Sequence, residues 1–163
     1  MLLRADTSVV LNLAWLREDR LWPALFGRVL APPAVRAEFE RLVLVDHRFR
    51  GLRFPEFISV EEPGSLSNVL TPNEDLDPGE VAVLALALER RIRHVLIDEA
   101  AGRRAALALG LQPSGLLGLL VQAKKRALLP AVLPLLDQLR DGARFHIGED
   151  LRHRIAALAG EVP

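Results

Sequence analysis

Eight consecutive apolar residues, Val81 through Leu88, would leave a helix without a polar face. Such a helix has to be covered all round, and it is far too short to span a bilayer. It belongs between layers of a folded domain. Its start is well marked, with Asp77 as N-cap, Pro78 at the first helical position and Glu80 in the first turn. After the basic turn Arg90-Arg91-Ile92-Arg93, the run His94-Val95-Leu96-Ile97 reads as a short buried strand. That strand delivers Asp98 and Glu99 at its carboxyl end, which is where open α/β sheets bind ligands. An acidic site is the first hypothesis.

The rest of the chain alternates strand and helix signals. Leu2 to Ala5 reads as a first strand leading into Asp6-Thr7-Ser8 and a helix through Leu16. Asp6 therefore sits at a strand-to-helix junction, where an N-cap role alone would account for it. Leu21 to Phe26 reads as a short helix, Arg28 to Ala31 as a second strand and Ala34 to Val45 as a helix with Val35, Phe39 and Leu42 on one stripe. Glu38 borders that stripe, a common place for an acid whose stem packs and whose head reaches water. Residues 46 to 57 read as an irregular connection, Phe57 to Val60 as a third strand, and 65 to 76 as a short apolar piece (Leu66, Val69, Leu70) followed by a polar run. Beyond Glu99 the pattern predicts a helix over 100–109, a weak strand over 111–114 and helices over 119–129, 130–140 and 149–159. Phe145-His146-Ile147 is expected as a last short strand. This alternation argues for a parallel sheet with helices on both faces, in one domain spanning residues 1–163.

Composition excludes more than it suggests. Lys plus Arg and Asp plus Glu each number 21, so no net charge draws the chain to nucleic acid or membrane. Cysteine is absent, which removes disulfides, zinc-thiolate sites and a cysteine nucleophile. The four histidines have no ligand spacing, and no glycine-rich phosphate loop occurs. The amino terminus lacks a secretion-signal pattern, so a cytoplasmic location is expected. Eight apolar residues after Glu80 and a Leu-rich stretch from Leu116 to Leu136 predict a further covered surface, and hence a homodimer.

Asp6, Glu38, Glu80 and the pair Asp98-Glu99 stand out by placement. Clustered carboxylates repel and raise one another's pKa unless a cation joins them. Mg2+ or Mn2+ takes such oxygen ligands and can activate a water and steady a phosphoryl group. Arg103 and Arg104, one turn into the helix that begins at the acids, are candidate phosphate contacts, and Ser8 is a third nucleic-acid candidate. Asp98 is expected to cap the helix after it, through the N–H groups of residues 100 and 101, leaving Glu99 to reach the metal.

Five segments occur in order: Asp6-Thr7-Ser8-Val9-Val10, Leu30 to Val35 through Glu38-Phe39, Leu76-Asp77-Pro78-Gly79-Glu80 through Leu88, Val95 to Glu99, and Gly115-Leu116-Leu117-Gly118 through Lys125. In these the chain resembles the PIN-domain family, in the prokaryotic branch that carries a Leu-Asp-Pro-Gly-Glu motif. The likeness covers nearly the whole chain except about residues 46 to 72. It implies a three-layer α/β/α fold with a five-stranded, mainly parallel sheet. It also implies a Mg2+- or Mn2+-dependent ribonuclease acting on RNA, often a toxin paired with an antitoxin protein, and frequently a dimer. The family's metal-binding acids fall on Asp6, Glu38, Glu80 and Glu99, with Asp98 adjacent. Two departures stand out: Glu99 replaces the usual Asp, and Leu116 replaces a Thr whose hydroxyl is then missing. A non-catalytic PIN-like binding or interaction module is the alternative these departures favour.

Overall fold

The computed structural model describes residues 2–65 and 76–163. The short apolar piece at Leu66, Val69 and Leu70 and the polar run after it lie outside the described residues. The elements are β1 (Leu2–Ala5), α1 (Thr7–Trp15), α2 (Leu21–Phe26), β2 (Arg28–Ala31), α3 (Pro33–Val45), β3 (Ile58–Val60), α4 (Pro78–Glu89) and β4 (His94–Leu96). They continue as α5 (Ala100–Ala108), β5 (Gln112–Ser114), α6 (Leu116–Lys125), α7 (Leu133–Asp141) and α8 (Glu149–Ala159), with one 3-10 turn at His47–Phe49.

The strands pair in the order β3-β2-β1-β4-β5, every pair parallel. The chain leaves β1 toward β2 and β3, then returns to add β4 on the other side of β1. Strand order reverses between β1 and β4, and that switch point opens a crevice at the carboxyl ends. The register sets Ala5 beside Leu96, so Asp6 and Asp98 leave the sheet as neighbours. Helix α1 packs against α3 and against α6.

Helix α4 bears out the apolar reading: residues 82 to 87 are buried within one chain. It packs on β1 and β4 and touches α3. Leu119, Leu120, Val121, Val132, Leu133 and Leu136 are buried in the same core. The fold hides both apolar stretches without a second copy, so the apolar count no longer argues for a homodimer. No helix among the described residues is long and apolar enough to cross a membrane.

Three expected elements differ. Phe145-His146-Ile147 is not a strand; the segment runs without sheet pairing between α7 and α8. Helix α6 starts at Leu116, not at Leu119, because an acceptor from elsewhere in the fold meets its first N–H. Helix α7 starts at Leu133 and not at Pro130, because the Glu161 carboxylate accepts the N–H groups of Val132 (2.6 Å) and Leu133 (3.0 Å). Both starts are set by residues distant in sequence, which no local pattern shows.

Candidate metal and nucleic-acid site

Asp6 is both a cap and a site residue. Its Oδ1 accepts the Val9 N–H at 3.0 Å, which caps α1 as the local pattern predicts. Its Oδ2 accepts the Asp98 N–H at 3.1 Å and so ties α1 to the end of β4. Only 6% of the residue is exposed. Burial pushes its carboxyl up to about 7, against the lowering effect of the Val9 N–H and with help from the Asp98 and Glu80 charges.

Glu80 lies back on its own helix. Asp77 Oδ1 accepts the Glu80 N–H at 2.7 Å, and Glu80 Oε2 accepts the Asp77 N–H at 3.0 Å, a complete capping box. Its other oxygen, Oε1, is buried and has no hydrogen-bond partner. A Cβ on Gly102 would come within 2.5 Å of that oxygen, so α5 can pass so close only with glycine there. Burial raises the Glu80 pKa, and the Asp77, Glu99 and Glu38 charges push in the same direction.

Glu38 is held differently. The Thr7 hydroxyl donates to its Oε2 at 2.7 Å, and its side chain is 39% exposed. Glu99 is exposed at the N-cap position of α5 and makes no side-chain cap bond. Neither bonds to a backbone N–H, as Asp6 and Glu80 do. Asp6, Glu38, Glu80 and Glu99 line one pocket of about 140 Å3, together with Thr7, Ser8 and Asp77. The four acids predicted to meet do line one pocket. Asp77 and Thr7 join them unannounced; the sequence marks both only as helix-start residues.

The Asp98 expectation is overturned. Its carboxylate does not cap α5; Oδ1 accepts the Leu116 N–H at 2.8 Å and so caps α6, while the Ser8 hydroxyl donates to Oδ2 at 3.4 Å. The approach is so close that a Cβ on Gly115 would sit 2.6 Å from Oδ1. That is the physical reason for Gly115 in the Gly-Leu-Leu-Gly segment. Burial raises the Asp98 pKa, against the bonds from Leu116 and Ser8 and the nearby Arg103. The Leu116 side chain is fully buried, so only its backbone serves the site. Arg103 lines a cavity with Asp98, whereas Arg104, exposed one position on, lines none of these cavities.

The donor set is all oxygen, buried acids carry raised pKa values, and Glu80 Oε1 is unsatisfied. This chemistry fits a hard divalent cation. As they stand, no three acidic or histidine side chains among the described residues enclose an ion. The geometry gives the reason, since Glu38 leans on Thr7 and Glu80 on Asp77. A cation here would need the half-buried Glu38 and the exposed Glu99 to turn toward it.

A family model described as a PIN domain matches residues 4–161. No curated protein and no solved structure matches the chain. The match spans the stretch around residues 46 to 72 that the motif resemblance left uncovered, and nearly everything else, so the chain belongs to the PIN-domain family.

Proposed function

We propose that this chain is a metal-dependent endoribonuclease that hydrolyses RNA phosphodiester bonds. The observation that carries it is the convergence of Asp6, Glu38, Glu80 and Glu99, from four separate elements, on one pocket at the switch point of a parallel sheet. Family membership supports it, since PIN domains are generally nucleases.

Asp6, Glu38, Glu80 and Glu99 would hold one or two Mg2+ or Mn2+ ions, with Asp98 behind them. A bound ion of this kind lowers the pKa of an attacking water and offsets phosphoryl charge. The chain's own residues set the stage. Two backbone N–H groups fix the Asp6 carboxylate, so it cannot turn away. Near neutral pH its raised pKa leaves it partly protonated, and a cation held there would displace that proton. Thr7 orients Glu38. Ser8, on the wall between the acidic pocket and the adjoining cavity, would donate to a bound phosphate by turning its hydroxyl away from Asp98. The products are a 5′-phosphate and a 3′-hydroxyl.

A second reading, a non-catalytic PIN-like module that binds nucleic acid or protein, is favoured by one observation. Glu80 and Asp98 are already committed to capping α4 and α6. Cleavage of a mixed RNA pool with Mn2+ by wild type, and not by Asp6→Asn, selects the enzyme. RNA binding without cleavage selects the module.

The Leu-Asp-Pro-Gly-Glu resemblance extends the reading to the cytoplasmic toxin of a toxin-antitoxin pair. Growth arrest on expression, relieved by the product of a small neighbouring gene, is the result expected. A homodimer rests on that resemblance alone, and a monomer mass by light scattering at high micromolar concentration would remove it.

A further inference from the structure

The acidic pocket is too small for a nucleotide. Its volume is about 140 Å3, against roughly 300–1,000 Å3 for sites that enclose a whole small molecule. It has room for ions, water and one phosphodiester group, so the flanking RNA has to lie outside it. The structure offers a continuation. A cavity of about 410 Å3 shares Ser8, Leu42 and Glu99 with the acidic pocket, and one of about 460 Å3 continues past Asp98 to Arg103. Phe145 and His146 line both of these outer cavities.

The segment that carries them is held in place. Ala143 and Ile147 are buried on either side of it, and the Phe145 N–H donates to the Leu139 carbonyl at 2.9 Å. Arg48 donates from Nη1 to the Ala143 carbonyl while its Nε and Nη2 grip Asp46. Arg144 sits at φ 55°, in the left-handed region that non-glycine residues rarely adopt. Such a conformation persists only where the surroundings over-determine it. The outcome is a fixed presentation: Arg144 and His146 exposed, and Phe145 half-buried between them.

We propose that Arg144-Phe145-His146 forms a base-stacking subsite for single-stranded RNA beside the acidic pocket. This rests on the endoribonuclease reading for the identity of the strand. Phe145 offers a ring face to the base next to the cleaved bond. Arg144 and His146 in the cavity that shares Ser8 and Glu99, and Arg103 in the one beyond Asp98, meet its phosphates and balance the repulsion of Asp98 and Glu99. A base can stack on a side chain only when it is free of its own helical stack, so the subsite selects single strands and loops over duplex. Because every base has such a face, the subsite adds affinity without demanding a sequence.

The test is fluorescence anisotropy of a labelled 12-nucleotide single-stranded RNA with the full chain in EDTA. Cleavage of the same RNA is measured in Mn2+. Phe145→Leu keeps the apolar packing and should weaken binding about tenfold, while Phe145→Trp should restore it. Arg144→Gln, on an exposed side chain that leaves the core alone, should weaken binding and lower the salt slope by about one. Thermal melting of each variant confirms that it is folded. Unchanged affinity in folded Phe145→Leu or Arg144→Gln overturns the subsite, as does equal affinity for the matching duplex. Wild type that binds through Phe145 but cuts nothing in Mn2+ keeps the subsite and overturns the nuclease. Cleavage whose KM ignores Phe145 and Arg144 does the reverse.

Discussion

Asp6 and Asp98 are joined through the backbone of one and the carboxylate of the other. Asp6 Oδ2 accepts the Asp98 N–H at 3.1 Å, and Asp98 in turn passes its carboxylate to the Leu116 N–H at 2.8 Å. Two acids thereby fasten α1, the end of β4 and the start of α6. Asp98→Ala should leave the Leu116 N–H short of an acceptor and cost about 1–3 kcal/mol, with Asp98→Asn recovering part of it. Glu99→Gln, on an exposed side chain, should change stability by less than about 0.5 kcal/mol while weakening Mn2+ binding. Denaturant melts paired with calorimetric Mn2+ titration separate the two, and a large stability loss in Glu99→Gln would contradict the assignment.

Asp6 sets a pH dependence for the metal-free protein. Its folded pKa of about 7 lies above the ordinary 3.8, so the folded state holds the proton more tightly than the unfolded chain. That contribution is fully present below about pH 4 and is lost as pH rises toward 7. Across about three units it amounts to roughly 4 kcal/mol. Asp46, half-buried and lowered to about 2 by its Arg48 bond, works at lower pH and in the opposite sense. The difference between wild type and Asp6→Asn isolates the effect: melts in EDTA at pH 5 and 8 should show a flatter profile for the variant. An identical slope in both would remove Asp6 as its source.

Gly102 tests the seat of Glu80. A Cβ there meets Glu80 Oε1 at 2.5 Å and Ile97 Cγ2 at 2.7 Å. Gly102→Ala should cost about 1–3 kcal/mol through overpacking and displace Glu80, lowering Mn2+ affinity as well. Gly118→Ala is the control, since nothing lies within 4 Å of its added methyl. In the first turn of α6 it should be neutral or slightly stabilising.

Glu161 tests a cap made at long range. Burial alone would raise its pKa, but the Lys124 bond and the Leu133 and Val132 N–H groups lower it. With the folded pKa depressed, this stabilisation is present above the ordinary Glu range and fades as pH falls through the folded value. Glu161→Ala should cost about 2 kcal/mol at pH 7 and less at pH 3. Hydrogen exchange should locate the loss at the first turn of α7, and uniform loosening of the chain would argue against it.

The sequence by itself determined the elements whose signals are local. The Asp77-Pro78 start of α4, its unbroken apolar run and the Asp6 cap on α1 were legible because caps and burial patterns act within a few residues. The acids were legible as candidates, because strand-end placement follows from the alternation of strand and helix. Tertiary structure decided which partner each acid took. Asp98 faces α6 and not α5 because β5 delivers Gly115 beside it, and only a glycine allows that approach. Glu161 fixes the start of α7 from 28 residues away. Phe145 to Ile147 alternates like a strand yet pairs with neither edge of the sheet; Ile147 is buried, and Phe145 and His146 line two cavities. Each is a contact between segments far apart in the chain, and its energy depends on a distance that no local pattern encodes.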